Sequence, residues 1–568
     1  MKDKLDKILG FEVETTENPD FGDYSSNVAL VGAKEKGENP RKVAEDLKEK
    51  LEKDVELGRI VDKIEVAGPG FINFFLKKDV LLNNLIQIGS EKEKYGSSTL
   101  GKDKTVVIDY SSPNIAKPFG IGHLRSTIIG QALYNLYKFL GYEVVGDNHL
   151  GDWGTQFGKL LYMIKTENSP ELSIEILEKL YVEFHKEAET DPGLEEKARE
   201  WFRKLEGGNV EAKEIWQKCV DVSLSEFDRI YKRLGVNIDF AFGESYYETE
   251  MRQMLMDPGI KRHLTKGEGG ATIIDLTKFG IKTPLMFLKK DGATTYATRD
   301  LATIKFRARK WDPSIIIYEV GAEQSLHFQQ VFAAARLLGL VGKNVELIHT
   351  AHGLYLAPDG KKFSTRKGKT IKLEDVLDEA TERAQKLGEK SSGPAYAKVT
   401  AVAVGIGAVK YFDLMHSVGS DVIFDWDKMM NLEGNSGPYL QYTVARCNSV
   451  IQKAATFKEP PQGYCDSLNS FKGVSSKGEY SNLNNEEMLM LRSLIRFPEV
   501  IISAVKSYSP NLLCNYLYDL ASKFNAFYNK HKIIDSDQEK FRLTLTSGVG
   551  QVLKNGLHLL GIQTPERM

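Results

Sequence analysis

The sequence predicts a multi-domain α/β protein with a doubly wound parallel sheet at its centre, a small α+β domain before it and an all-helical domain after it. Three observations lead there. At 568 residues the chain exceeds the ~250–300 at which a single hydrophobic core stops growing. From Thr105 onward strand-like runs alternate with helix-like ones: TVVID (Thr105–Asp109), EVVGDN (Glu143–Asn148), IIIYEVGAE (Ile315–Glu323) and VELIHTAHGLYL (Val345–Leu356). Such alternation is the signature of strands joined by crossover helices. From about Lys398 the strands disappear, and SVGSDVIFDWDKMM and NEEMLMLRSLIRFPEVIISAV are expected to be helical.

Taken in order, residues 1–100 mix charged helical stretches with one strand-like run, VAGPGFINFFL (Val66–Leu76), and form the N-terminal domain. They hold 16 Lys and Arg against 20 Asp and Glu. A linker-like SEKEKYGSSTLGKDK (Ser90–Lys104) leads into the sheet domain, 101–430. A charged helical segment at about 160–240, beginning near ELSIEILEKLYVEFHKEAET, interrupts it as an insertion. The helical domain, 431–568, carries a polar loop at Glu459–Asn484. Its residues 440–568 hold 15 Lys and Arg against 11 Asp and Glu, a mild basic excess in a chain of net charge −2. No internal repeat or low-complexity tract is visible.

Composition narrows the classes. No run nears the ~18 apolar residues of a membrane span. The start, MKDKLDKILGFEVETTENPD, is too charged for a secretory segment and too acidic for a transit peptide. The four cysteines (Cys219, Cys447, Cys465, Cys514) are far apart and contain no C-x-x-C, which argues against zinc and disulfide frameworks and fits a reducing cytoplasm. A polyanionic partner would have to be met by local patches.

The densest chemistry lies in YSSPNIAKPFGIGHLRST (Tyr110–Thr127), between a strand-like run and the helix-like IIGQALYNLYKFL. In doubly wound folds this place, at a strand's carboxyl end and a helix N-terminus, receives phosphate. Gly120 and Gly122 permit positive φ and close approach of a nucleotide, His123 offers a donor and Lys117 a point charge. The spacing is neither that of a Walker loop nor the G-x-G-x-x-G of a dinucleotide fold. A tight, capped turn alone would explain part of it. A second stretch, DGKKFSTRKGKT (Asp359–Thr370), gathers Lys361, Lys362, Arg366, Lys367 and Lys369 on a Gly- and Ser-punctuated loop. Alone it reads as a solvated loop; beside a phosphate-type turn it reads as a clamp for a triphosphate.

PFGIGHLRST resembles the HIGH motif of class I aminoacyl-tRNA synthetases, and KKFSTRKG resembles their KMSKS loop. SSPNIAKPF, NHLGDWGTQFG (Asn148–Gly158), ATTYATRDLA (Ala293–Ala302), EQSLHFQQVFAAA (Glu323–Ala335) and GPYLQYTVAR (Gly437–Arg446) are similar to arginyl-tRNA synthetases, as is FGDYSSNVAL (Phe21–Leu30) in the extra N-terminal domain of that family. The likeness runs over essentially the whole chain. It implies a Rossmann-like class I catalytic domain, an N-terminal domain touching the tRNA elbow and a helical anticodon-binding domain. It also implies ATP-dependent activation of L-arginine to arginyl-adenylate, then transfer to the 3′-terminal ribose of arginine tRNA. Magnesium would accompany ATP, with no metal bound by the protein itself and no membrane partner; a cytoplasmic monomer is expected.

The resemblance implies amino-acid contacts from Ser112, Asn114, His123, Tyr296, Asp300 and Gln324, with Asp109 facing the guanidinium. An arginine side chain calls for anionic, acceptor-rich partners, which Asp109 and Asp300 supply. ATP would be held by Pro113, Lys117, Gly120, Gly122, His123, Ser364, Thr365 and Arg366, with Lys117, His123, Lys362 and Arg366 as the catalytic set. Two plainer readings compete: Asp300 as a helix cap and Tyr296 as core. His149, Asp152 and Trp153 are placed near the site without a role. Two departures stand out. Gly120 replaces the first histidine of HIGH, and Arg366 takes the place of the second KMSKS lysine, with Lys117 expected to compensate. The competing functions are a tRNA-free nucleotidyltransferase of the same superfamily, which would not need the long helical domain, and a non-catalytic paralogue, to which only Gly120 points.

Overall fold

The computed structural model describes residues 1–16, 18–167, 171–361, 371–392, 394–457 and 482–568. At its centre four parallel strands run β4–β3–β1–β2, with β1 Thr105–Asp109, β2 Glu143–Asp147, β3 Ile315–Tyr318 and β4 Glu346–His349. The middle of β1, Val106 to Ile108, is fully buried, because helices cover both faces of the sheet. Chain order reverses direction between β1 and β3, so the crevice at their carboxyl ends is the topological switch point where doubly wound folds bind ligands. Three helices frame it: α1 (Leu124–Phe139) after β1, α2 (Tyr296–Trp311) before β3, and α3 (Ser325–Leu337) after β3.

The insertion is helical as expected, with helices Thr155–Glu167, Ile174–Ala188, Gly193–Glu206 and Val210–Leu234. The N-terminal domain is a four-stranded antiparallel sheet with helices on it. Its single strand-like run is in fact the end of one strand, Val61–Ala67, and the whole of the next, Phe71–Leu76. The chain reverses between them at Gly68 and Gly70, both at positive φ (53° and 140°). The expected linker is docked instead: Tyr95 is buried and its hydroxyl lies between Asn84 Oδ1 (2.9 Å) and the Leu494 carbonyl of a C-terminal helix (3.0 Å).

Two elements differ from expectation. A small antiparallel sheet, Leu264–Lys266, Thr272–Ile274 and Leu285–Leu288, precedes α2. Within SVGSDVIFDWDKMM, Val422–Ile423 pairs in parallel with Tyr355–Leu356 before a single helical turn, Trp426–Met429. The remaining C-terminal elements are helices: Gly437–Phe457, Asn485–Leu494, Phe497–Lys506, Asn511–Lys530 and Glu539–Leu559. Among the described residues, no helix is long and apolar enough to cross a membrane.

Candidate active site

The segment leaving β1 is bent by side chains that reach it from elsewhere. Ser111, Ser112 and Ala116 sit at positive φ (76°, 45° and 63°), a region costly for residues with a Cβ unless their surroundings hold them there. Four hydrogen bonds do so. The Ser111 N–H donates to Ser126 Oγ (2.9 Å), the Ser112 N–H to Asn148 Oδ1 (2.9 Å) and the Ala116 N–H to Ser223 Oγ (2.9 Å). Ser111 Oγ and the Tyr231 hydroxyl are hydrogen-bonded (2.8 Å), and the latter also accepts from Asn148 Nδ2 (3.0 Å). The polar letters of HLRST are thereby accounted for. Ser126 binds the turn and donates to the Glu319 carbonyl beyond β3 (2.6 Å), and Thr127 Oγ1 lies 2.8 Å from Ser111 Oγ. Arg125 is buried against Asp413 (3.1 Å) and the Ser420 carbonyl (2.5 Å).

Gly120 does not use its freedom: φ −84°, ψ 161° is ordinary extended backbone, and Gly122 is likewise not at positive φ. The left-handed residues of this turn are its serines and alanine, contrary to the reading from sequence. Gly120 pairs antiparallel with Lys372. His123 ends the short turn Ile121–His123, its ring edge-on to Phe119 (5.5 Å). Burial holds His123 down at about 4, against a hydrogen bond to the Ser111 backbone, with the Lys117 charge pushing the same way as burial. The neutral ring has one nitrogen engaged with Ser111 and leaves the other as an acceptor. Lys117 is exposed, its ammonium over the Tyr181 ring of the insertion (5.6 Å). Pro113 is buried and Asn114 is exposed in a bridge with Gly151. Lys362, Ser364, Thr365 and Arg366 lie outside the described residues.

Across the crevice, α2 is capped by Thr295, whose side chain and Thr298 form a reciprocal box. Asp300, a turn further on, is therefore not the cap. Its Oδ2 lies 2.5 Å from His327 Nε2 on α3. Tyr296 is 71% exposed and so is not core. Gln324 stands exposed at the start of α3. Asp109, expected against a substrate guanidinium, is paired instead with one from its own chain. Its Oδ2 lies 2.8 Å from Arg307 Nη2 and its Oδ1 accepts from Ser112 Oγ (3.0 Å). Arg307 also holds Asp147 through Nε (2.8 Å) and lies over the Tyr318 ring (5.2 Å). Both carboxylates are buried with it under the crevice.

The geometry adds a carboxylate that no motif announced. Gly243 packs where a Cβ would collide with the Asp152 carboxylate. Asp152 accepts from the Ser245 N–H (2.9 Å) and hydroxyl (2.5 Å). This holds the backbone on either side of Glu244, whose carboxylate lies 3.3 Å from Arg299 of α2, and gives Asp152 of GDWG its role. Burial pushes Glu244 up to about 7; Arg299 and His149 pull it down, Asp300 and Asp152 push it further up. Glu244 Oε2 and His149 Nδ1 are both buried without a hydrogen-bond partner, which marks a place where a ligand's donor and acceptor would be met. Arg299 and His327 lie inside ATTYATRDLA and EQSLHFQQVFAAA, so their stretches were visible though their contacts were not. The buried pair of Glu319 and His352 (2.9 Å) closes the floor beyond β3.

A parallel sheet with a strained HIGH-type turn at its switch point, joined to a helical C-terminal domain, defines a class I aminoacyl-tRNA synthetase. The family described as tRNA synthetases class I (R), catalytic domain, matches residues 84–426. The DALR anticodon binding domain matches 440–568, and the arginyl tRNA synthetase N terminal domain matches 2–76. The chain is 40% identical to an arginine–tRNA ligase of Fusobacterium nucleatum over 98% of its own length and 95% of that protein's. It is 41% identical to one of Exiguobacterium sibiricum at the same coverage. The crystal structure of arginyl-tRNA synthetase from Plasmodium falciparum superposes with a TM-score of 0.83 at 28% identity, covering 100% of this chain and 99% of that one. That from Thermus thermophilus gives 0.83 at 22%. The chain belongs to the arginyl-tRNA synthetase family.

Proposed function

We propose that this protein ligates L-arginine to arginine tRNA at the expense of ATP, for protein synthesis in the cytoplasm. The observation that carries the amino-acid specificity is the convergence of Glu244 and Asp300, near enough for the charge of one to raise the pKa of the other. Two neighbouring carboxylates suit a planar cation with five N–H donors better than an ammonium.

Arginine lies with its guanidinium toward Glu244, Asp300, Tyr296 and Gln324. Its other end meets Ser112, Asn114 and His123, whose free nitrogen accepts from the α-ammonium. Asp109 acts one step back, steadying Ser112 and Arg307. ATP takes the backbone of Pro113, Gly120 and Gly122 and the N-terminus of α1, and it brings magnesium as part of the substrate complex. A carboxylate oxygen of arginine attacks the α-phosphorus and pyrophosphate leaves, its growing charge met by Lys117 with Lys362, Ser364, Thr365 and Arg366. A hydroxyl of the 3′-terminal ribose then attacks the arginyl carbonyl, AMP leaves, and the ester forms. No protein nucleophile is needed, so catalysis is positioning and charge stabilisation.

The functional units are 1–100 at the tRNA elbow, 101–430 for catalysis with the 160–240 insertion, and 431–568 for the anticodon, in a monomer. Support for the last is a surface platform. Arg446 lies between the rings of Tyr442 and Tyr528 (4.8 and 4.9 Å), both more than a third exposed. Aromatic faces beside a cation suit an unpaired base. Charging of purified arginine tRNA with labelled arginine tests the proposal, and a protein that binds tRNA and ATP but forms no arginyl-tRNA overturns it.

A further inference from the structure

The chain carries two guanidinium groups near the crevice, held very differently. Arg307 is fully buried and locked by two carboxylates at 2.8 Å each. Arg299 stands one turn into the same helix, at the mouth. Its Nη1 lies 3.3 Å from Glu244 Oε2, without the alignment of a hydrogen bond. Its guanidinium carbon lies 5.7 Å from the centre of the exposed Tyr296 ring. Its field also reaches Glu206 of the insertion. Arg299 thus touches, loosely, two groups assigned above to the substrate's guanidinium.

Resting on that assignment, we propose that Arg299 is a stand-in for the substrate guanidinium, which arginine must displace, and that it thereby sets the affinity for arginine. The physical reason is the carboxylate of Glu244. A buried carboxylate stripped of its cation is costly, and Arg299 keeps one in place. When arginine enters, one guanidinium replaces another and Glu244 is never uncompensated. A neutral isostere such as L-citrulline must displace Arg299 as well but brings no cation in return, so Glu244 itself discriminates against it. The exchange lowers affinity for arginine itself, because part of each binding event goes into releasing the stand-in.

The test measures equilibrium binding of L-arginine and L-citrulline to the full-length protein at pH 8.5, where Glu244 is ionised. Arg299→Gln, Arg299→Lys and Glu244→Gln are compared with the parent. Arg299→Gln is expected to bind arginine roughly five-fold tighter, as release of one partly exposed ion pair allows, and citrulline tighter by a similar factor, because both ligands must displace Arg299. Arg299→Lys, which keeps the charge and the fold, should fall between. A second readout is the pH profile of arginine binding: losing the neighbouring cation should move its midpoint to higher pH in Arg299→Gln, with His149, Asp152 and Asp300 still facing Glu244. If both Arg299 variants bind arginine no more tightly than the parent while Glu244→Gln binds it weakly, the stand-in is overturned and the site assignment survives. If Glu244→Gln binds arginine as tightly as the parent, the assignment itself fails and the stand-in with it.

Discussion

The Ile121 N–H donates to the Ile371 carbonyl at 3.0 Å, and two residues along the Leu373 N–H donates back to the Phe119 carbonyl at 2.9 Å. The HIGH-type turn is thus stitched to the first residues after the basic stretch 362–370. That places the turn and residues 371–373 in one short ladder. Gly120 lies inside it in a backbone conformation any residue can adopt. Gly120→His is therefore expected to change the steady-state rate of tRNA charging by less than about ten-fold, below the 10²–10³ typical of losing a developing-charge donor. A loss of a hundred-fold would mean that the ladder does not admit a side chain there.

Lys117→Met should damage the chemical step and spare arginine binding. The ammonium is exposed over Tyr181 and takes part in no ion pair among the described residues, so its removal costs little in the fold. An interaction that strengthens as pyrophosphate leaves appears in kcat. A fall of roughly 10²–10³ in kcat with arginine KM within a factor of two is expected. Equal kcat in variant and parent would leave Lys117 as a solvated surface lysine.

Asp300→Asn turns a carboxylate shared between His327 and the substrate into a neutral amide. Truncating one partner of a desolvated charge pair costs about 2–5 kcal/mol, so arginine KM should rise at least thirty-fold with ATP KM unchanged. The amide still accepts a hydrogen bond from His327, which keeps α2 and α3 in place and makes melting temperature a control. An unchanged arginine KM would remove Asp300 from the pocket.

The acidity of Glu244 predicts a pH dependence. With its folded value raised to about 7, the free enzyme carries Glu244 protonated below that pH, and binding a guanidinium must expel the proton. Arginine KM should be flat above pH 7 and rise toward about ten-fold per pH unit below it. In Glu244→Gln the rise should vanish while KM is high throughout. Persistence of the same profile in that variant would assign the titration to another group.

Motif chemistry was legible in the sequence because it is local: the turn after β1, the helix it opens and the alternation around it need only neighbouring letters. What the sequence hid is what distant residues impose. Ser111, Ser112 and Ala116 adopt positive φ although Gly120 and Gly122 stand nearby, because hydroxyls and an amide from Ser126, Asn148 and Ser223 hold them. Asp109 looked free for substrate because its partner, Arg307, is far along the chain. Glu244 carries no motif at all; the Gly243 and Asp152 contact holds the backbone beside it. The sheet at 264–288 escaped because its strands are three or four residues long, below the length at which period-two alternation can be read.

Lys410 joins the domains in a way that makes a stability prediction. It is fully buried, and its ammonium donates to the Leu234 carbonyl (2.7 Å) and the Gly561 carbonyl (2.5 Å). The first ends the insertion helix Val210–Leu234, whose Tyr231 holds Ser111; the second follows the last helix, Glu539–Leu559. Asn135 of α1 meets the same turn through the Leu559 carbonyl (3.1 Å). Burial pulls Lys410 down to about 7, where a neutral amine still has two protons for two carbonyls. The sign follows from linkage: between that value and the ordinary lysine value near 10.4 the unfolded chain binds a proton that the folded chain does not. Stability from this group therefore grows as pH rises above about 7, by up to ~1.4 kcal/mol per unit, and is lost as pH falls through 7. Lys410→Met removes that dependence but orphans two buried carbonyls, at about 1–3 kcal/mol each. Melting temperatures of parent and Lys410→Met should thus lie closest at pH 6 and separate toward pH 9, with the parent gaining. A constant gap across that range would mean that Lys410 stays charged at the junction and that the two helix ends, not burial, decide its proton.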